Sequence, residues 1–145
     1  MKEISYQRQI VKSVKRSGGL ARKQNHTTMV GVPDLIIWVP RYSPVEVEVK
    51  LIKDCTPGFK RKLDVTQKQT EKMRNVCELY EANMAFVLVI IEWRGSRVVS
   101  YSPMPFHTKT IDNQTCTMYN RGDNQFFDMK KIMELMKVPQ LELRG

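Results

Sequence analysis

From Val45 to Lys50 apolar and polar residues alternate without a break: Val45, Val47 and Val49 take one face, and Glu46, Glu48 and Lys50 the other. A period of two marks a half-buried β-strand. The run before it, Leu35-Ile36-Ile37-Trp38-Val39, is apolar and stops at Pro40, and Arg41 to Pro44 supply a connection. The two runs predict a hairpin, here centred near Tyr42. In that register Ile36 lies opposite Glu48 and Asp34 opposite Lys50. Asp34 then shares the face of Glu48, one diagonal step away, and such diagonals span about 7–8 Å. A slip of a single residue would turn Asp34 to the other side.

The rest of the chain reads as follows. Residues 2 to 17 predict a helix with Ile10, Val11 and Val14 on one stripe, and Glu3 and Gln7 fall on that same stripe. Ser17-Gly18-Gly19 ends it. Leu20 to His26 predicts a strand, and the stretch from Asn25 to Gly31 a turn. Residues 53 to 65 keep neither period and read as an exposed loop. Thr66 to Asn83 predicts a second helix, with Thr66 and Gln69 spaced as a capping box. On its wheel Gln69, Met73, Val76, Cys77 and Tyr80 face the sheet, and Gln67 faces away. Met84 to Glu92 is continuously apolar, the mark of a strand buried on both faces. Arg94-Gly95-Ser96 predicts a turn and Arg97 to Tyr101 a further strand, with Pro103 and Pro105 closing the unit. The order is α-β-β-β-α-β-β. Beyond it, Thr108 to Gln125 is polar. Phe126 to Met136 predicts a helix with Phe126, Met129, Ile132, Met133 and Met136 on its apolar face and Lys130, Lys131 and Lys137 opposite. That Met-rich face suits packing on the core or contact with a second copy. The division is a core over residues 1–103 and an extension over 104–145.

Composition narrows the function classes. A chain of 145 residues is one domain by default. A formal charge of +9 fits a polyanionic partner, nucleic acid before an anionic membrane, although a merely basic soluble surface would carry it too. Cys55, Cys77 and Cys116 are odd in number and lack metal spacing, which points to a reduced, intracellular chain. His26 and His107 have no Cys or His partner nearby, which argues against a structural zinc site or a Ser-His-Asp triad. The longest apolar run, Met84 to Ile91, is too short to span a bilayer. The polar N-terminal stretch leads us to expect no secretory signal.

The hairpin carries the chemistry. Hydrolysis of a phosphodiester needs an activated water and neutralisation of charge on the phosphate, and a hard divalent cation bound by oxygen ligands supplies both. Asp34 and Glu48 offer such ligands, as does the backbone carbonyl of Val49. The Lys50 ammonium would orient the water or stabilise the transition state. The plainer alternative is an amphipathic hairpin with a solvated Glu/Lys face. Two readings also stand for the basic stretch after the hairpin. Lys53, Lys60, Arg61 and Lys62 grip a DNA backbone, with Phe59 stacking on a base, or the segment is a loop without a role. Lys23, with Lys12, Lys15, Arg16 and Arg22, makes the first helix and strand basic, either to hold phosphates or as a solvated face.

Pro33-Asp34 followed by Glu48-Val49-Lys50 resembles the PD-(D/E)xK nuclease signature. The longer set of Gly31-Val32-Pro33-Asp34-Leu35, Glu48-Val49-Lys50 and Thr66-Gln67-Lys68-Gln69 resembles the virus-type replication-repair nuclease (VRR-NUC) domain, over about Glu3 to Trp93. The resemblance implies an α/β, restriction-endonuclease-like fold with a mixed central sheet flanked by helices. It implies a Mg²⁺-dependent endodeoxyribonuclease, with Mn²⁺ as a substitute, of the stand-alone, phage-like form. Such proteins act on branched DNA, Holliday junctions included, and a homodimer presenting two sites accounts for that. Glu3 matches a helix-one glutamate that reaches the metal, although an acid also suits the first turn of any helix. Gln69 matches a helix glutamine that points into the site, a place from which it would order the nucleophilic water. The chain departs from the family in the basic stretch of about fifteen residues between Lys50 and Thr66, where a shorter, Gly-rich linker is usual. The alternatives are a non-specific nicking or restriction-type nuclease, a non-catalytic basic DNA-binding module, or an inhibitor of a partner protein. RNA as a substrate stays open.

Overall fold

The fold comes from a computed structural model, which describes residues 2–24, 31–93, 99–112, 119–120 and 127–141. The elements run α1 (Glu3–Arg16), β1 (Leu20–Lys23), β2 (Leu35–Trp38), β3 (Val45–Cys55), β4 (Lys60–Lys62), α2 (Gln67–Tyr80), β5 (Ala85–Trp93), β6 (Val99–Met104), β7 (Thr110–Asp112), β8 (Tyr119–Asn120) and α3 (Met129–Leu135). Six strands form one mixed sheet in the order β1-β2-β3-β5-β6-β8, and β4 and β7 pair separately. The β3–β5 pair is parallel, joined through α2, and the other pairs of the large sheet are antiparallel.

The period-two pattern explains the layering. Val45, Val47 and Val49 of β3 and Phe86, Leu88 and Ile90 of β5 face α1 and α3, which contribute Tyr6, Ile10, Val14, Met129, Ile132 and Met133 to one apolar cluster. Ala85, Val87, Val89 and Ile91 face the other way and meet Met73 of α2 in a second cluster. As its continuous apolar run predicts, β5 is covered on both faces. Each fully buried side chain of this size contributes about 1.5–3 kcal/mol by leaving water. The helix α1 ends where expected, with the Gly18 and Gly19 amides donating to the Lys15 and Val14 carbonyls at 3.0 and 2.9 Å. Among the described residues no helix is long and apolar enough to cross a membrane.

The structure differs from the sequence reading in several places. Residues 53 to 65 are not a loop: β3 continues to Cys55, and Lys60–Lys62 forms a strand. That strand has no apolar side chain, and its ladder partner β7 lies about fifty residues downstream, so no local pattern marks it. Phe59 is buried, edge-on to Trp93 with ring centroids 5.5 Å apart, and cannot stack on a base. Burial falls along α2, from Gln69 and Met73 to half-buried Val76 and Cys77 and exposed Tyr80, so the helix diverges from the sheet before its C-terminus. Pro103 lies inside β6 rather than closing it. Among the described residues its ladder partner is Leu88 of β5. The helix α3 starts at Met129, capped by the Asp128 carboxylate, which accepts from the Lys131 amide. Phe127, one residue from the expected Phe126, takes the buried place against Tyr101. The expected turns at 25–30 and 94–96, Phe126, and the strand ends at His26 and 97–98 lie outside the described residues.

Candidate active site

The strand β3 outruns its partner. The ladder between β2 and β3 pairs Ile37 with Val45, Ile36 with Glu46 and Leu35 with Val47, and there β2 ends. The hairpin is centred on Arg41 rather than Tyr42, because Arg41 takes a left-handed conformation (φ 74°) and the Tyr42 amide closes on the Val39 carbonyl at 3.0 Å. The register therefore differs from the expected one by two residues. An even slip preserves the faces, and continuing the ladder sets Asp34 directly across from Glu48 instead of diagonal to it.

Beyond Leu35 the amides of Val49 and Leu51 point to a sheet edge where, among the described residues, no strand receives them. An unpaired amide in a half-buried place is costly, and here carboxylates take the role of the missing strand. The Val49 amide donates to Asp34 Oδ2 at 2.9 Å, and the Leu51 amide to Glu3 Oε2 at 3.1 Å. In return the Asp34 amide donates to Glu48 Oε1 at 3.0 Å. Strand geometry aims the carbonyl of a residue to the same side as its own amide, so the Val49 carbonyl faces this edge while its side chain sits in the core.

Glu48 is 2% exposed. Its Oε2 accepts from Gln69 Nε2 at 2.8 Å and lies 3.3 Å from Lys50 Nζ. Burial, then the nearby Asp34 carboxylate, push its pKa up to about 7, against the pull of Lys50. Burial likewise raises Glu3, helped by Asp34 and opposed by the Leu51 amide and Lys50. Glu46, on the same face of β3 one pleat back, is also raised by burial, with Lys72 and Gln24 opposing.

Gln69 serves two partners in one rotamer. Its Oε1 accepts from the Thr66 amide at 3.2 Å while the Gln69 amide donates to Thr66 Oγ1 at 3.1 Å, which completes the capping box. Its Nε2 is left to hold Glu48. A residue not singled out as functional, Gly31, brings the Asp34 segment and α2 together. It has φ +84°, and a Cβ there would sit 3.0 Å from the Lys68 backbone, in the turn of helix that carries Gln69.

Among the described residues no three His, Cys, Asp or Glu side chains gather into a complete metal site by themselves. The donor set nevertheless fits a hard cation that keeps part of its water shell. Asp34 and Glu48 are drawn together, the Val49 carbonyl faces the same edge, and each carboxylate oxygen keeps lone pairs beyond the bonds described. Glu3 stands at the margin of this set, on the Leu51 amide. Burial first, and then a second carboxylate beside it, raise the pKa of Glu48 against the pull of Lys50.

The basic residues lie on both sides. Lys23 is exposed at the end of β1, across from Leu35. Lys53, Lys60, Arg61 and Lys62 are exposed at the far end of β3 and on β4. A concavity of about 730 Å³ beside the C-terminus of α2 contains none of these residues.

No family model matches this chain, and no curated protein matches it by sequence. Among solved structures it is similar to Hjc, a Holliday junction resolvase from the archaeal hyperthermophile Archaeoglobus fulgidus. The TM-score is 0.51 at 14% identity, over 77% of this chain and 88% of that one. The fold is the mixed α/β, restriction-endonuclease-like one.

Proposed function

We propose that this chain is a metal-dependent DNA endonuclease of the PD-(D/E)xK type, of the stand-alone VRR-NUC form, and that it hydrolyses phosphodiester bonds in branched DNA such as Holliday junctions. The observation that carries the reading is the meeting of Asp34, Glu48, Lys50 and Gln69 at one sheet edge, with two carboxylates bonded to each other's strands. DNA binding alone needs no buried carboxylates beside a phosphate. The similarity to a junction resolvase supports the choice of branched DNA.

Asp34, Glu48 and the Val49 carbonyl, with Glu3 at the margin, would hold Mg²⁺ (Mn²⁺ as a substitute), which supplies an activated water and neutralises charge on the phosphate. The Lys50 ammonium, 3.3 Å from Glu48 Oε2, would orient the attacking water or stabilise the charge on the phosphate. Gln69 is a positioning residue that fixes the Glu48 carboxylate. Lys23, Lys53, Arg61 and Lys62 would hold the DNA backbone. A homodimer would bring two such sites to one junction. An intracellular setting suits Cys55 and Cys77, which are free thiols.

The test is cleavage of a labelled four-way junction and a linear duplex of the same sequence, with Mg²⁺, Mn²⁺ or EDTA, for wild type and Lys50→Ala. The expected result is metal-dependent cutting of the junction, reduced at least 10²-fold in the variant, about the effect of deleting one transition-state donor. Equal cutting of both substrates would keep the nuclease and discard the branch selectivity. Tight binding without cutting of either would replace the enzyme with a DNA-binding module.

A further inference from the structure

The segment that departs most from the resembled family folds into a second structure beside the site. After Ile52 the β3–β5 register breaks: Ile52 pairs with Ile91, and the next pair is Cys55 with Trp93. Lys53 and Asp54 therefore oppose the single residue Glu92, a β-bulge, and Asp54 takes the left-handed conformation at φ 55°. Bulges re-aim side chains and bend the strand. This one turns Lys53 and Asp54 outward, both exposed.

The chain then reverses at Pro57-Gly58 into β4, which is held by β7 rather than by the main sheet. Alternation divides the residues of β4. Phe59 and Leu63 are buried, and Arg61 shares their side of the ribbon, across from buried Ile111. Arg61 escapes the core by reaching back to the bulge, where its Nη2 lies 3.4 Å from the Asp54 carbonyl. Between bulge and ribbon lies an open groove of about 480 Å³, lined by Leu51, Ile52, Lys53, Asp54, Arg61 and Lys62. Lys60 does not line it. It sits across the ladder from the acidic residue Asp112.

The groove starts at Leu51, the residue whose amide Glu3 holds at the site. Three cations and one carboxylate line it, a net charge that favours a phosphodiester. The three residues of strand from Lys50 to Lys53 rise about 10 Å, the axial span of about three phosphates on one DNA strand.

We propose that this groove is a phosphate subsite. It takes the backbone of the cleaved strand about three phosphates to one side of the scissile bond, through Lys53, Arg61 and Lys62 and not through Lys60. The assignment takes its place in catalysis from the nuclease reading above, but binding tests it independently of turnover. The subsite makes the reach of the substrate asymmetric: trimming the strand on one side of the cut costs affinity, and trimming it on the other does not.

The experiment measures binding of the full-length chain to a fluorescent four-way junction and a linear duplex in EDTA, over a series of salt concentrations. Each phosphate contact contributes about 0.9 to the slope of log K against log salt. Lys53→Ala, Arg61→Ala and Lys62→Ala should each lower the slope by about one, which is about an eightfold weaker complex at 0.1 M salt. Lys60→Ala should leave the slope within error of wild type, and Arg61→Lys should restore most of what Arg61→Ala loses. All four side chains are exposed, and circular dichroism of each variant checks that the ribbon is intact. Equal losses at Lys60 and at the three groove residues would overturn the subsite in favour of diffuse attraction, and no loss at any of them would overturn it outright. If wild type cuts no DNA with Mg²⁺ yet the slopes divide as stated, the nuclease reading fails and the phosphate groove stands.

Discussion

Glu48 makes folding sensitive to pH in a way that can be isolated. Its carboxyl ionises near its ordinary value of 4.5 in the unfolded chain and near about 7 in the fold. Between those values the folded state holds a proton that the unfolded state has released, so stability falls as pH rises. The loss begins near pH 4.5, is complete above about 7, and amounts to about 3 kcal/mol. The perturbation is Glu48→Gln, and the assay is urea denaturation in EDTA from pH 5 to 8. Absolute stability is a poor readout, because the new amide must accept from the Asp34 amide with its oxygen and so turns its own N–H₂ toward Gln69 Nε2 and Lys50. The slope is immune to that clash. Glu3 and Glu46 are raised in the same direction, but they titrate in both proteins and largely cancel in the difference. Wild type should lose stability with pH more steeply than the variant, by up to about 1.4 kcal/mol per pH unit. Superimposed slopes would refute the argument that Glu48 is buried against its charge.

Three other outcomes follow from the same geometry. Gln69→Glu keeps an oxygen for the Thr66 amide but sets a second carboxylate against Glu48 Oε2. Helix content by circular dichroism should hold while DNA cleavage drops by at least tenfold, and Gln69→Ala should lower stability by about 1 kcal/mol through loss of the cap. Gly31→Ala puts a Cβ at a left-handed φ and 3.0 Å from the Lys68 backbone, so urea denaturation should show a loss of about 1–3 kcal/mol, with weaker cleavage as Asp34 and Gln69 move apart. Phe59→Ala should cost about 3–5 kcal/mol of stability, the range for a buried aromatic, and leave the affinity for single-stranded DNA unchanged under conditions where the variant remains folded. A base-stacking phenylalanine would give the reverse.

The parts of the fold legible in the sequence were those written in a local period. The alternation at Val45–Lys50 set the faces of β3, and the even register shift did not disturb them, so Asp34 and Glu48 shared a face even though the turn was misplaced. The apolar run of β5 and the Thr66–Gln69 spacing were equally direct. What was hidden depends on distant partners. The β4 strand is Lys-Arg-Lys and is a strand only because residues 110–112 lie beside it. Phe59 looked exposed because its neighbours are basic, but it belongs to one buried cluster with Ile52, Leu63, Met73 and Ile111, from four separate segments. Tyr6 was overlooked for the same reason: its hydroxyl donates to Glu92, at the far end of the chain's central strand. The double use of Gln69 was half legible. The cap could be read from spacing, but the second bond needs the height of α2 over β3, which no local pattern encodes.

The overhang of β3 has a consequence for handling the protein. A strand edge with open amides is a template for another strand, and proteins defend such edges with charge. Asp34 and Glu3 cover the amides of Val49 and Leu51, so the same two acids keep a neighbouring molecule from adding itself to the sheet. Neutralising both, as one would to trap a DNA complex without cleavage, uncovers an adhesive rim. Such a preparation would assemble with itself through backbone pairing, and its stoichiometry on DNA would report that pairing rather than the assembly of the native protein.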